Sequence, residues 1–326
     1  MSKKQSAKKI ATICVILILV FVMLYSGLQI LESTVLLQEQ GQEEQIQSKT
    51  IIRDNVAYYP RQDIKTMLVM GIDETGPVAG SEFYTNTGEV DMLALVIFDE
   101  KNEKIDVLSL NRDTMLEMPV LGIDGKVAGT RYGQLALSHV YGTGLEDSCE
   151  NTKKTVSDFL YGITVDYYVS LNMDAIAILN DAVGGVTVNV TDDFSQADTP
   201  IAMGEQKLNG QQALTFVRVR KDVGDQKNVS RMGRHEEYMR GFLTAFRQAN
   251  EDESFILNTY EQVEPYIVTD CSAKALSSML SRYAEYELKE VVSPKGENRV
   301  GEQYMEFYVD EEALDSLILR LLYAPK

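Results

Sequence analysis

The chain has 326 residues, with 49 acidic side chains against 31 basic ones and a formal charge of −18. A surface that acidic excludes broad docking on nucleic acid or on anionic lipid. Two histidines and no CxxC exclude a histidine-rich zinc centre, and a chain of this length buries a full core without covalent staples.

Residues 10–31 run for 22 positions without a charged side chain. As a helix they span about 33 Å, against a hydrocarbon layer of about 30 Å. Lys3, Lys4, Lys8 and Lys9 precede the run, and Glu32 and Glu39 follow it, so the positive-inside bias keeps the N-terminus in the cytoplasm. A cleaved signal peptide is the competing reading, but its apolar stretch is shorter and no small-x-small site follows Tyr25. The expected organisation is a cytoplasmic tail at 1–9, a transmembrane anchor at 10–31, a Gln- and Glu-rich stalk at 32–63 and one extracytoplasmic domain at 64–326.

Beyond the stalk, short apolar runs alternate with helical periodicity. Strands are predicted at 66–72, 92–98, 105–110, 167–171 and 186–190, and helices at 135–141, 152–160, 173–182, 211–217, 231–247, 273–284 and 311–322. Segments 291–295 and 305–309 read as a last strand pair. Strands apolar on both faces and interleaved with helices predict a three-layer α/β/α sandwich around a central mixed sheet. Cys149 and Cys271 both lie outside the anchor. Spacing leaves open whether they pair or stay as thiols.

Two segments carry chemistry. Phe216-Val-Arg-Val-Arg-Lys221 is followed by Lys227, Arg231 and Arg234, a basic island in an acidic chain. If Arg231 and Arg234 are helical, both guanidinium groups face one way near a helix start. Such forks bind phosphate oxygens bidentately. A solvated basic face making surface ion pairs is the competing reading. The second segment is Leu108-Ser-Leu-Asn-Arg112-Asp113-Thr114, directly after an apolar strand, where open sheets place their sites. Asp91 starts the preceding predicted strand. If the two strands are antiparallel neighbours, Asp91 and Asp113 share one end of the sheet. Two carboxylates beside arginines suit a hard cation bridging phosphate oxygens; a capping role for Asp113 is the alternative.

The order Met70-Gly-Ile-Asp73, Val90-Asp91-Met92, Asn111-Arg-Asp-Thr114, Ala182-Val-Gly-Gly-Val186, Gly204-Glu-Gln-Lys-Leu-Asn-Gly-Gln-Gln-Ala213, Phe216-Val-Arg-Val-Arg220 and Arg231-Met-Gly-Arg234 resembles the LytR-CpsA-Psr family over about residues 64–248. The resemblance implies an extracytoplasmic phosphotransferase. Such enzymes move a glycan-phosphate from a polyprenyl-pyrophosphate carrier to peptidoglycan. It implies Arg112, Asp113, Arg218 and Arg220 as catalytic residues, with Arg231 also on the pyrophosphate, and Asp91 and Asp113 on magnesium. It further implies substrate contacts from Arg131, Gln134, Arg234 and His235. Gln134 begins the stretch where the family often has Lys-Ile-Asn, and Arg131 is the nearby basic substitute. Asn228 stands where an aspartate is common, and His235 where a glutamine is usual. The helix 173–182 is a candidate wall for the lipid tail, with core packing as its plainer role. Two other functions share these features: a non-catalytic envelope regulator, and a pyrophosphatase acting on the lipid carrier. A nine-residue tail is too short for a DNA-binding domain.

Overall fold

The structure is a computed structural model that describes residues 50–325 except 220–222, 224–227, 251–253 and 303. The predicted tail, the anchor at 10–31, most of the stalk and Arg220 lie outside the described residues. Among the described residues, no helix is long and apolar enough to cross a membrane. Residues 50–60 with 324–325 form one unit. There Ile51–Arg53 and Val56–Pro60 pair antiparallel across a turn through Asp54 and Asn55, both at positive φ. The end of the predicted stalk is therefore a hairpin.

The larger unit, Arg61–Tyr323, is organised by six strands: β1 Ile64–Ile72, β2 Val90–Asp99, β3 Lys104–Leu110, β4 Tyr167–Leu171, β5 Ile267–Thr269 and β6 Glu287–Val292. Their order across the sheet is β5-β4-β1-β2-β3-β6. β1, β2 and β3 are antiparallel neighbours, β4 and β6 run parallel to β1 and β3, and β5 is antiparallel to β4. The sheet is mixed, as the sequence predicts.

Successive residues of β1 are buried on opposite faces: Met67 and Leu68 are both under 6% exposed. Such a strand needs cover on both sides. On one face Met67, Ala94, Phe98, Ile105 and Val107 pack with Met279 and Tyr283 of α6 (Ala273–Tyr283) and Met239 of α4 (Asn228–Ala249). On the other lie the 3-10 turn Leu135–Ser138 and α1 (Glu146–Phe159), which contact β2 and β4. The remaining helices are α2 (Met173–Ala182), α3 (Gly210–Arg218), α5 (Phe255–Val263) and α7 (Glu311–Leu322). Asn209 starts α3 with a reciprocal capping box to Gln212.

Three predicted elements come out differently. The strand Val186–Val190 is present but pairs with Gly204–Leu208 in a separate two-stranded sheet. Its inward valines join Phe194 and Phe216 in a second core. The pair predicted at 291–295 and 305–309 separates: Val291 and Val292 end β6 in the main sheet, 293–295 form no strand, and Met305–Val309 pairs with Gly296–Val300 instead. The helix predicted at 135–141 is a single 3-10 turn. Its N-cap Gln134 makes no capping bond, because its amide donates to Asp113 and to the Met305 carbonyl. A hairpin of Met115–Leu121 and Val127–Gln134 was not predicted.

Helix α4 lies flat on the second core. A Cβ on Gly241 would overlap the Thr187 carbonyl oxygen, so Gly241→Ala is expected to cost about 2 kcal/mol through overpacking, despite alanine's better helix propensity. Urea denaturation of the variant checks this, and an unchanged midpoint contradicts the close approach.

Candidate active site

Antiparallel pairing brings the end of β1, the start of β2 and the end of β3 to one edge of the sheet. There the Asn111 side chain accepts a bond from the Asp113 amide at 3.0 Å, and the Thr114 hydroxyl donates to the Asn111 carbonyl at 2.6 Å. This local turn stops β3 and aims Arg112 back over β2. Arg112, 9% exposed, donates through Nη1 to Asp91 and through Nη2 to Glu89 Oε2 at 2.6 Å. Its Nε lies 3.5 Å from Asp113 Oδ1. Near the start of α4, Arg231 is 1% exposed. It reaches the same aspartate, with Nη1 donating to Asp91 Oδ2 at 2.7 Å and Nη2 to the Asp91 carbonyl at 3.1 Å. Asp91 and Asp113 do share one end of the sheet, and two arginines converge on Asp91.

Arg218 closes α3 and lies half-exposed, 3.2 Å from Asp73, which follows β1. Arg234 departs from the predicted common direction. Its Nε donates to the Phe216 carbonyl at 2.8 Å, Nη2 donates to the Val219 carbonyl, and Nη1 pairs with Asp192 at 2.8 Å. A cation on the last carbonyls of α3 is a favourable C-terminal cap. His235 lies beside it, with Nε2 2.9 Å from the Val217 carbonyl. Arg234 and His235 therefore hold the end of α3, and with it Arg218, in place. Helical spacing placed Arg231 and Arg234 together, yet their guanidinium groups serve different partners. Gln134 donates to Asp113 Oδ1 at 3.2 Å, whereas Arg131 sits on the exposed hairpin with its guanidinium 5.9 Å from the Tyr141 ring centre.

Two acids of this edge were not singled out from sequence as site residues. Asp73 closes the quoted Met70-Gly-Ile-Asp73 motif. Glu89 stands two residues before Asp91, the spacing that puts alternate strand residues on one side.

Among the described residues no three histidine, cysteine, aspartate or glutamate side chains converge as a metal cage. Magnesium is typically held by one or two carboxylates plus substrate phosphates, and the donor set here has that character. Glu89, Asp91 and Asp113 surround Arg112 and Arg231, so hard oxygen donors outnumber the guanidinium groups.

On the sheet face covered by α4 an apolar cavity of about 290 Å³ runs from Leu171, near the site edge, to Phe98 and Ile105 towards the far end of the strands. Its lining includes Met67, Val169, Leu179, Phe242, Phe246 and Tyr283. Phe242 follows Arg231 along α4 by about 16 Å at the rise of a helix. Of the predicted wall helix α2, Leu179 faces this cavity and Ile176 packs on the second core.

The edge is backed by His139, whose Nδ1 donates to the Gly88 carbonyl at 2.9 Å. Its Nε2 lies 3.9 Å from Cys149 Sγ. Cys149 and Cys271 are both buried thiols without a disulfide, and burial pushes Cys149 up to about 12. Burial also lowers His139 from its ordinary 6.5, the Gly88 bond opposing this. The folded protein thus binds less proton here than the unfolded chain. The stability tied to neutral His139 is full above about pH 6.5 and is lost as pH falls through the lower folded value. The urea midpoint is expected to drop between about pH 7.5 and 5.5, and His139→Gln to flatten that drop. Equal drops in the two proteins contradict the assignment.

The fold and its edge define an α/β domain with an arginine–carboxylate site at one end of its sheet and an apolar cavity under α4. The LytR_cpsA_psr family model matches residues 25–321, and the chain belongs to that family. It is similar to a polyisoprenyl-teichoic acid–peptidoglycan teichoic acid transferase, TagU, of Bacillus subtilis: 29% identical over 191 residues, 59% of this chain and 55% of that protein. TagU of Halalkalibacterium halodurans is 35% identical over 161 residues, 49% of this chain and 46% of the relative. The chain thus spans about half the length of these curated relatives. Among solved structures, protein gbs0355 of Streptococcus agalactiae aligns with a TM-score of 0.66 at 24% identity, covering 79% of this chain and 86% of its own. TagV of B. subtilis aligns at 0.62 and 24%, covering 80% and 96%. Both share the fold.

Proposed function

We propose that this chain is a phosphotransferase, anchored by residues 10–31 and facing outward, that moves a glycan-phosphate from a polyprenyl-pyrophosphate carrier to peptidoglycan. The observation that carries the reading is that one helix, α4, carries a residue of the arginine site and residues lining an apolar cavity. Arg112 and Arg231 meet at Asp91, and the helix that carries Arg231 leads to an apolar cavity. The substrates in the names of the TagU relatives, a polyisoprenyl-linked polymer and peptidoglycan, have the same two-part chemistry.

In the reaction a sugar hydroxyl oxygen attacks the phosphorus bearing the glycan. A new P–O bond forms, the bridging P–O bond of the pyrophosphate breaks, polyprenyl phosphate leaves with the electron pair, and the hydroxyl proton passes to water. Charge builds on the phosphoryl oxygens, so positioning and neutralisation do most of the work. Arg112, Arg218 and Arg220 supply guanidinium donors, and the buried Arg231 fixes Asp91. Asp91 and Asp113 would hold magnesium, which when bound would neutralise phosphate charge that these carboxylates otherwise repel. The cavity shelters the lipid tail.

Incubation of the full chain in detergent micelles with a lipid-linked glycan and peptidoglycan oligomers, followed by mass spectrometry, tests the reading. A phosphodiester-linked product is expected. Free glycan-phosphate without that product identifies a pyrophosphatase, and recovery of both substrates unchanged identifies a non-catalytic protein. Asp113→Asn is expected to raise the magnesium needed for half-maximal transfer by about tenfold, the scale of losing one oxygen ligand or its support. With pyrophosphate present, magnesium is expected to raise the melting temperature of the parent, and Asp113→Asn should blunt that rise. An unchanged magnesium requirement removes Asp113 from the metal.

A further inference from the structure

The segment from Asp73 to Glu89 has no regular structure, and connections longer than about 12–15 residues within a domain are uncommon and usually functional. Both of its ends are fixed in the arginine cluster: Asp73 pairs with Arg218 at 3.2 Å and Glu89 with Arg112 at 2.6 Å. Between those ends it encloses a pocket of about 350 Å³ bordered by Glu74, Ser81, Thr85, Asn86 and Thr87, with Gly144 opposite. The volume falls in the range of about 300–1,000 Å³ typical of small-ligand clefts.

The pocket is preformed. The Asn86 amide donates to the His139 carbonyl at 2.8 Å and the Gly142 carbonyl at 3.0 Å, while its Oδ1 accepts from the Gly88 amide at 2.7 Å. The Ser81 amide donates to the Thr143 carbonyl at 2.7 Å. The Thr87 hydroxyl donates to Glu74 Oε1 at 2.8 Å, which orients that carboxylate. No lysine or arginine borders the pocket, so a phosphate entering it meets the Glu74 charge without a counter-ion. Hydroxyls, an amide and one carboxylate instead match a neutral polyol, whose O–H groups both donate and accept. Its position is also informative. Gly144 and Asn86 tie one rim of the pocket to the turn before α1, on the sheet face opposite the apolar cavity, while the Glu74 carbonyl at the other rim accepts from the Met173 amide of α2 at 3.0 Å. In an in-line phosphoryl transfer the attacking and leaving oxygens lie on opposite sides of phosphorus.

We propose that the Asp73–Glu89 loop is the acceptor subsite, which holds a sugar ring of the glycan whose hydroxyl is phosphorylated, with Glu74 accepting a hydrogen bond from that ring. This rests on the transferase reading of the neighbouring arginine site. The test uses the full chain in detergent micelles, titrated separately with a soluble peptidoglycan disaccharide-peptide and with inorganic pyrophosphate. Glu74→Ala removes the carboxylate, and Thr85→Phe fills the pocket from an exposed position that tolerates folding. Both are expected to weaken saccharide binding by about tenfold or more, the scale of one to two lost hydrogen bonds to a charged group. Pyrophosphate affinity should not fall, since neither side chain supplies a guanidinium donor, and thermal melting reports that each variant is folded. Saccharide affinity unchanged in both folded variants, or absent in the parent, overturns the subsite. Arg218→Ala in the pyrophosphate arm addresses the transferase reading separately. Its loss of affinity with intact saccharide binding by the pocket variants overturns the subsite alone, whereas unchanged pyrophosphate affinity in Arg218→Ala overturns the arginine site beneath it.

Discussion

Arg231→Met is expected to destabilise the folded protein by about 3 kcal/mol, a large share of a typical domain's stability. Removing one partner of a buried ion pair costs about 3–5 kcal/mol, because the other charge is left in a poor solvent. Arg231 is 1% exposed and Asp91 8%, so both meet that condition. The lower end applies because Arg112 also binds Asp91 and keeps part of its compensation. The Nη2 bond to the Asp91 carbonyl disappears as well, freeing the start of α4 from β2. Urea denaturation of Arg231→Met, Asp91→Asn and the double variant measures this. The double variant should lose clearly less than the sum of the single losses, since the partners are in contact. Additive losses, or a single-variant loss below about 0.5 kcal/mol as at an ordinary surface site, contradict the buried pair. Asp91 is then a structural anchor as well as a proposed magnesium ligand. Its oxygens already hold two arginines, so its replacement changes both the fold and the site.

What the sequence revealed follows from how directly each feature is encoded. β1 to β4 were predicted within about two residues because their apolar runs face packed layers on both sides. The meeting of Asp91 and Asp113 followed from two neighbouring strands and a short turn, a relation that pairing rules constrain tightly. The hairpin at 115–134 left little signal. Pro119 interrupts its first strand, and Val127–Gln134 is exposed for most of its length, so no alternating pattern marks it. The last strands were misassigned because β6 pairs with β3, far away in sequence. Local patterning locates such a strand without naming its partner. The same limit explains Arg234. Helical spacing gives the direction of a side chain, and here that direction holds the end of α3. The basic island is thus split between a structural clamp, Arg234, and the residues of the proposed anion site, a division that charge counting alone does not make.

Arg218→Ala is expected to weaken binding of a polyprenyl pyrophosphate by about tenfold or more, because charge-assisted hydrogen bonds to phosphate contribute about 1.5–3 kcal/mol each. Arg218 is the cleaner probe of the site, since its side chain is 49% exposed and pairs with an equally open Asp73. An exposed pair of that kind stabilises the fold by about 0–1 kcal/mol. The melting temperature should therefore hardly move while ligand affinity falls. Arg218→Lys should recover only part of the affinity, because it keeps the charge and loses the planar fork. Arg220→Ala is expected to match Arg218→Ala. Lys65→Ala is the control. Lys65 pairs with Asp166 at 3.1 Å at the opposite end of β1, and its loss should leave affinity within about twofold, as an independent distant site. The competing view, a solvated basic face, predicts that Arg218, Arg220 and Lys65 behave alike, each within about 1 kcal/mol. Equal affinities across the four variants in a titration with the lipid would remove the anion site from this edge of the sheet. A tenfold loss confined to the arginines, at constant melting temperature, places the pyrophosphate there.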